Sequence, residues 1–142
     1  MDVEAQNPEL RPQGTDFMAS PGNGIQLASG PHAGRLIFPV YVNPFYSTLI
    51  YSDDHGRTWR LGGNAGIGGG EIQMAERGAG HILATIRNNT FKAKGVRFFN
   101  RSDDGGKTWG SPFYETKEQS SLPDPKCQAS LFRVSNAGTG KG

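Results

Sequence analysis

Two charged residues, Glu71 and Arg87, have the types and spacing that chemistry would need. They lie 16 positions apart, at the ends of a stretch of alternating apolar residues that glycines divide at 78–80. A period of two predicts two short strands joined by a hairpin, which brings the carboxylate and the guanidinium to one end of the pair. There both groups can face one ligand. The residues alone also allow, and favour, a plain surface salt bridge.

An octapeptide flanks this hairpin on both sides, as SDDHGRTW at 52–59 and SDDGGKTW at 102–109. The copies begin 50 residues apart, and each period contains four segments with strand character. Four strands in a period of that length are typical of a β-propeller blade. We therefore predict an all-β fold with two four-stranded blades and the opening strand of a third at 126–135. Propellers close at about four to eight blades, so we interpret the chain as an internal piece of a longer propeller.

The predicted organisation is an irregular segment over residues 1–20 followed by a partial propeller domain over 21–142. The first blade is predicted to use strands at 24–28, 35–42, 46–52 and 58–62. The second is predicted to use strands at 71–77, 81–87, 96–102 and 108–114. Glycine-rich and proline-containing segments separate these strands and predict turns.

The octapeptide pattern S-x-D-x-G-x-T-W is suited to forming a bend. Its aspartate can accept hydrogen bonds from backbone amides, its glycine permits positive φ, and its hydroxyls can link the two arms. A calcium loop or a catalytic carboxylate pair is the alternative, but the ligand pattern of an EF-hand is missing and an enzyme needs only one site. We predict a structural role for Ser52, Asp54, Gly56, Thr58, Trp59, Ser102, Asp104, Gly106, Thr108 and Trp109.

Composition excludes several classes of function. The 142 residues suit one domain, and the 15 basic and 13 acidic residues are scattered, so we expect no nucleic-acid partner. No apolar run is long enough to span a membrane, and the first residues lack the apolar core of a signal peptide. The single cysteine, Cys127, is predicted to be a small buried residue, and the three scattered histidines predict no metal site.

The octapeptides resemble the Asp boxes of sialidases. Three further segments, at 21–36, 71–88 and 124–133, are similar to sialidase sequences and occur in the family's order. The resemblance implies a six-bladed β-propeller that needs no cofactor and removes terminal sialic acid from glycoproteins, glycolipids or oligosaccharides. It also implies retention of configuration through a covalent intermediate on tyrosine.

The resemblance also implies roles for individual residues. Glu71 matches the glutamate that activates the tyrosine nucleophile, and Arg87 matches the second of three arginines that bind the substrate carboxylate. Tyr41 is similar to tyrosines on the glycerol or aglycone side of the pocket, although a core aromatic residue is an equal alternative. Glu76, five residues after Glu71 and on the opposite face, is expected to be solvated.

The remaining catalytic motifs of the family have no match in this chain. These are the nucleophilic tyrosine, the acid/base aspartate and the first and third arginines. We therefore expect a piece of an exo-α-sialidase that is inactive by itself. The alternatives are a non-catalytic Asp-box propeller that binds glycans or proteins, and a pure interaction scaffold. The residues do not determine the cellular location, and a secreted and a lysosomal parent protein are the alternatives.

Overall fold

A computed structural model describes residues 16–43, 46–89, 96–114, 124 and 126–134 of the chain. Over these ranges the chain forms ten β-strands in two antiparallel sheets, which confirms the predicted all-β fold class. The strands are β1 (Asp16–Ala19), β2 (Ile25–Gln26), β3 (Leu36–Asn43), β4 (Tyr46–Ser52), β5 (Arg60–Leu61), β6 (Gly66–Ile67), β7 (Gly69–Gly78), β8 (His81–Asn88), β9 (Phe98–Ser102) and β10 (Phe113–Tyr114).

The first sheet is a four-stranded blade whose first and last strands are each broken in two. Its long central strands are β3 and β4; β1 and β2 both pair with β3, while β5 and β6 both pair with β4. The sequence did not predict β1 or β6. The segment 1–20 was expected to be irregular, yet Asp16–Ala19 pair with the end of β3. Both β1 and β6 are short and lack apolar alternation. They form because they pair with a long neighbouring strand, and not because their own residues favour a strand.

The second sheet follows the predicted order without interruption, β7–β8–β9–β10. Ile86 on β8 lies opposite Ile72 on β7 and opposite Phe98 on β9. The β7–β8 ladder is irregular near both of its ends, where the register shifts between Gly69 and Ile72 and between Glu76 and Gly78. These irregularities bend the hairpin that carries the predicted site.

The segment predicted to open a third blade has no β-ladder over its described residues, 126–134. A first strand pairs with the second strand of its own blade, and no such partner occurs in the ranges given above. Phe132 and Val134 are exposed at 67% and 99% of their surface. The prediction that Cys127 is buried is wrong: its side chain is exposed, because no ladder turns the alternating residues inward.

The hydrophobic core lies between the two sheets. Alternate residues of each long strand point into it, as expected where one sheet face packs on another. The second sheet contributes Ile72, Met74, Ile82, Ala84, Ile86 and Phe98, and the first contributes Leu27, Ile37, Leu49, Tyr51 and Ala65. Trp109 is half-buried and packs against this cluster.

The two octapeptides fold into nearly identical turns. In the first, the Asp54 carboxylate accepts hydrogen bonds from the Thr58 amide at 2.8 Å and the Thr58 hydroxyl at 2.6 Å, and in the second Asp104 accepts the same two bonds from Thr108 at 2.9 and 2.6 Å. The Ser52 hydroxyl bonds Asp54 and accepts from the Gly56 amide, and Ser102 repeats this arrangement. Gly56 and Gly106 adopt positive φ angles of 85° and 91°.

Arg35 links the two octapeptide turns. Its side chain is almost fully buried and donates two hydrogen bonds to the Asp53 carboxylate, at 2.7 and 2.8 Å. A third bond, at 2.9 Å, reaches the Gly105 carbonyl in the second turn. The guanidinium also lies 4.2 Å above the centre of the Tyr51 ring. One buried cation therefore joins the blades where their turns meet.

We expect Arg35→Lys to lower the free energy of unfolding by about 2–3 kcal/mol, because lysine cannot keep both the fork to Asp53 and the bond to Gly105. Urea denaturation followed by tryptophan fluorescence measures the change. Arg60→Lys, at an exposed position of β5, is the matched control and should alter stability by no more than about 0.5 kcal/mol. Equal effects of the two substitutions would contradict a linking role for Arg35.

Candidate functional site

The β7–β8 hairpin determines where the predicted site residues lie. Its turn contains Gly78, Ala79 and Gly80, with φ angles of 116°, 52° and 80°, a conformation that favours glycine. The strands run antiparallel from this turn, so the beginning of β7 and the end of β8 lie at the same end of the sheet. Glu71 and Arg87 occupy these two positions. The octapeptide turns lie at the opposite end, after β4 and β9.

Glu71 and Arg87 are in direct contact. The Nη1 atom of Arg87 donates to both carboxylate oxygens of Glu71, at 2.8 Å each. Their side chains are partly accessible, with 16% of Glu71 and 30% of Arg87 exposed. The hydrogen bond to Glu71 raises the pKa of Arg87, which therefore stays positively charged. The second terminal nitrogen, Nη2, makes no hydrogen bond to any residue in the described part of the chain.

Gly70, the residue before Glu71, lies in closely packed surroundings. The Gly70 carbonyl accepts a hydrogen bond from the Ser47 hydroxyl at 2.7 Å, which ties the start of β7 to the first blade. A Cβ atom on Gly70 would overlap the Asn89 side-chain amide and would lie 3.6 Å from Cδ of Arg87. Any side chain at this position would displace the Asn89 side chain, whereas its distance to Arg87 would be an ordinary van der Waals contact.

Tyr41 lies at the same end of the molecule, on the first blade. It is half-buried and sits opposite Ser47 on β4, the residue whose hydroxyl bonds Gly70. It makes no hydrogen bond to Glu71 or Arg87 within the described ranges. Its position near the start of β7 is compatible with both roles that the sequence left open, a pocket wall and a partly buried aromatic residue.

A second arginine, Arg97, lies next to this site and was missed by the sequence analysis. It is 95% buried, donates to the Thr85 hydroxyl at 3.0 Å and to the Cys127 carbonyl at 2.7 Å, and lies 3.7 Å from the Asp124 carboxylate. Burial lowers the pKa of Arg97, while the nearby Asp124 and Glu71 carboxylates raise it in part. A single arginine between Val96 and the first residue of β9 gives no sequence signal of such burial.

The expectation that Glu76 is solvated is wrong. Only 8% of the residue is exposed, and its carboxylate accepts hydrogen bonds from the Ala28 amide at 2.8 Å, the Ser29 hydroxyl at 2.8 Å and the Gly80 amide at 3.2 Å. Arg133 approaches it to 3.7 Å. Its main partners are almost 50 residues away in the sequence, so no local pattern could reveal them. Glu76 thus joins the first blade to the β7–β8 turn.

An open cleft of about 360 Å³ lies beside Glu76, lined also by Met74, Leu131 and Phe132. Glu71 and Arg87 do not line it. Among the described residues that line it, the charged groups are Glu76 and Arg133, which lie 3.7 Å apart, and Glu76 already accepts bonds from backbone and hydroxyl donors. We therefore place the candidate site at Glu71 and Arg87 and not at this cleft.

The described ranges contain no group of three histidine, cysteine or carboxylate side chains that could hold a metal ion. The ring nitrogen Nδ1 of His81 bonds the exposed Asp103 carboxylate at 2.7 Å. Tyr46, whose pKa burial raises, makes no hydrogen bond to Glu71, and neither does any other tyrosine in the part of the chain that the structure covers. The same part contains no helix long and apolar enough to cross a bilayer.

Comparison with known proteins gives consistent matches. The family model of the BNR repeat-like domain matches residues 5–139. The sialidase of Micromonospora viridifaciens is 40% identical over 120 residues, a match covering 82% of this chain and 18% of that protein. Human sialidase-4 is 33% identical over 133 residues, covering 81% of this chain and 26% of that protein. The chain thus spans about a fifth to a quarter of the curated relatives it matches.

A solved structure agrees with the predicted fold type. The NanB sialidase of Streptococcus pneumoniae superposes with a TM-score of 0.65 at 32% identity, over 87% of this chain and 18% of that one. The match confirms that the two sheets correspond to blades of a propeller of this type.

We expect Glu76 to make stability depend on pH. Burial raises the pKa of Glu76, but the hydrogen bonds from Ala28, Ser29 and Gly80 lower it more, so the net pKa lies below the ordinary value of 4.5. Its contribution is therefore complete above about pH 4.5 and is lost as the pH falls through the folded-state pKa. At pH 7 Glu76→Gln should lower the free energy of unfolding by about 1–3 kcal/mol, and the difference from the native chain should shrink in acid.

Urea denaturation of both chains between pH 7 and pH 3 measures this effect. Asp103→Asn, which changes an exposed carboxylate, is the control and should not reproduce the pH dependence. A constant difference between the native chain and Glu76→Gln over the whole pH range would contradict the assignment.

Proposed function

The chain belongs to the sialidase family, whose BNR repeat-like domain it matches along nearly its whole length, and from this premise we propose that it forms part of the catalytic propeller of an exo-α-sialidase. Such an enzyme is a retaining glycoside hydrolase that releases terminal sialic acid from glycoproteins, glycolipids or oligosaccharides. The observation that carries the proposal is the contact between Glu71 and Arg87 at the accessible end of β7 and β8.

Arg87 would bind the carboxylate of sialic acid. Arginine suits this task because its guanidinium is always charged and carries donors on three nitrogens, so one can bind a ligand while another keeps a protein partner. Nη1 is occupied by Glu71, whereas Nη2 has no partner among the described residues and 30% of the side chain is accessible. This geometry supports binding of a substrate anion beside Glu71 without breaking the existing contact.

Glu71 would act as the base that activates a tyrosine nucleophile, as the family resemblance implies. The anomeric carbon of sialic acid carries a carboxylate, which repels the carboxylate nucleophile that most retaining glycosidases use, and sialidases are the tyrosine exception. A neutral hydroxyl needs a base to become a good nucleophile. The two bonds from Arg87 hold both carboxylate oxygens of Glu71 at the accessible end of the strands. The tyrosine itself has no match in this chain.

Tyr41 would line the glycerol or aglycone side of the pocket. Its partial exposure at the end of β3 and its place opposite Ser47, which bonds the residue before Glu71, support this role. An aromatic ring there would present an apolar face with a polar tip to the sugar. Because Tyr41 makes no hydrogen bond to Glu71 or Arg87, its effect would be on substrate preference more than on bond cleavage.

A graft tests the catalytic proposal. We expect a chimera in which residues 21–134 replace the matching segment of the Micromonospora viridifaciens sialidase to cleave a fluorogenic sialoside, because the host supplies the unmatched catalytic residues. In that chimera Glu71→Gln should lower kcat about 10²- to 10⁴-fold, the usual contribution of a general base. Glu76→Asp, which keeps the charge of the buried carboxylate, is the control for nonspecific damage to the hairpin. Turnover that survives Glu71→Gln unchanged would refute the role of Glu71.

The 142-residue chain alone is expected to give no turnover, since it has no match to the nucleophile, the acid/base or two of the arginines. A non-catalytic glycan-binding propeller is the second candidate, favoured by the partial exposure of Arg87, whose Nη2 could bind a sugar acid without any nucleophile. Titration of the chain with sialic acid separates the two. Binding lost in Arg87→Ala but unchanged in Glu71→Ala, together with an inactive chimera, would favour the glycan-binding module, and binding that is indifferent to both would favour an interaction scaffold.

A further inference from the structure

Arg97 lies beside Arg87 on the neighbouring chain segment. The last pair of the β8–β9 ladder joins Ile86 to Phe98, so the next positions outward are Arg87 and Arg97. Two like charges at opposing positions of adjacent strands repel each other. Each arginine has its own carboxylate partner: Glu71 for Arg87, and Asp124 for Arg97. The four charged groups form one cluster at this end of the sheet.

The hydrogen bonds of Arg97 hold the strand that carries Arg87. Thr85 and Arg87 are alternate residues of β8 and lie on the same face of the sheet. Arg97 donates from Nε to the Thr85 hydroxyl at 3.0 Å, and Thr85 is only 3% exposed. This buried, charge-assisted bond holds Thr85, the neighbour of Arg87 on the same face of β8.

Asp124 holds the residue on the other side of Arg87. Its side chain is 1% exposed, and Oδ2 accepts a hydrogen bond from the Asn88 amide at 2.9 Å while lying 3.7 Å from Nη1 of Arg97. The other oxygen, Oδ1, accepts from the Lys126 amide at 2.7 Å. Arg97 and Asp124 together therefore hold Thr85, two residues before Arg87, and Asn88, one residue after it.

The junction is buried as well as charged. Nε of Arg87 and Nη2 of Arg97 are both buried, and neither has a hydrogen-bond partner in the described ranges. Burial of these nitrogens limits the rotation of both guanidinium groups, because the surrounding atoms are closely packed.

We propose that Arg97 is a positioning residue for Arg87: through Thr85, and through Asp124 to the Asn88 amide, it fixes the direction in which the Arg87 guanidinium meets a ligand carboxylate. The inference rests on the proposed function, in which that ligand is sialic acid. A guanidinium held in place before binding loses little freedom when the carboxylate arrives, so affinity depends on the junction although Arg97 does not touch the ligand.

Thr85→Val tests the proposal in the full 142-residue chain. Valine has the shape of threonine, is favoured in strands and preserves every charge, but it removes the acceptor for Nε of Arg97. Thr48→Val is the matched control, because Thr48 is equally buried on β4 and its hydroxyl bonds the Gly63 carbonyl instead. Thr85→Ser retains the hydroxyl and should behave like the native chain. Should Thr85→Val fail to fold, Arg97→Lys keeps the charge and removes the same bond.

Two measurements are compared among these variants. The first is the NMR signal of the Nε–H group of Arg87 and of Arg97 without ligand. The second is the affinity for sialic acid and for its carboxamide, which lacks the negative charge. We expect Thr85→Val to shift both arginine signals and to weaken sialic acid binding about three- to tenfold, the worth of one hydrogen bond, with carboxamide binding unchanged. Thr48→Val should change none of these.

An Arg87 signal that stays in place when Thr85→Val shifts only Arg97 would overturn the proposal and leave Arg97 a purely structural residue. Equal effects of Thr85→Val and Thr48→Val would overturn it as well. If the native chain binds sialic acid no better than the carboxamide, the proposed function fails, and the Arg87 signal then decides the positioning role by itself.

Discussion

The antiparallel pairing of β7 with β8 is the constraint on which the rest of this structure depends. On one face its alternate residues, Ile72 and Ile86 among them, fill the core between the blades. On the other face the same strands carry Thr85 and Arg87. Because successive side chains point to opposite faces, a slip of one residue would put the charges into the core and the apolar residues outside. The same strand register is therefore needed for core packing and for the position of Arg87.

The two ends of the sheets are built differently. At the octapeptide end each carboxylate, Asp54 and Asp104, is saturated by donors from its own turn, and Arg35 and Glu76 join the turns and the blades with buried charges. At the other end Arg87 is partly exposed, and its Nη2 has no hydrogen-bond partner among the described residues. Saturated polar groups stabilise a fold, whereas groups with spare bonding capacity can bind a ligand.

Local patterns in the sequence predicted what short-range geometry determines. The spacing of Glu71 and Arg87 about the glycines at 78–80 was enough to bring the two side chains together, and the repeated octapeptides were enough for two blades. Arg35, Glu76 and Arg97 could not be predicted to be buried, because their partners lie in distant segments and charged residues are usually exposed. The prediction that Cys127 is buried was wrong for the opposite reason. The alternating residues around it predicted a β-strand, which its described neighbours do not form.

The positions of Asp124 and Arg133 in the sequence determine when their contacts can form during synthesis. Asp124 bonds Asn88 across 36 residues of sequence, and Arg133 approaches Glu76 from still farther along the chain. A ribosome synthesises a protein from the amino terminus onward at about 5–20 residues per second. The β7–β8 hairpin therefore leaves the exit tunnel some seconds before Asp124 and Arg133. The nascent chain can complete its core early, while the end bearing Arg87 acquires its final shape only when the last described segment has been synthesised.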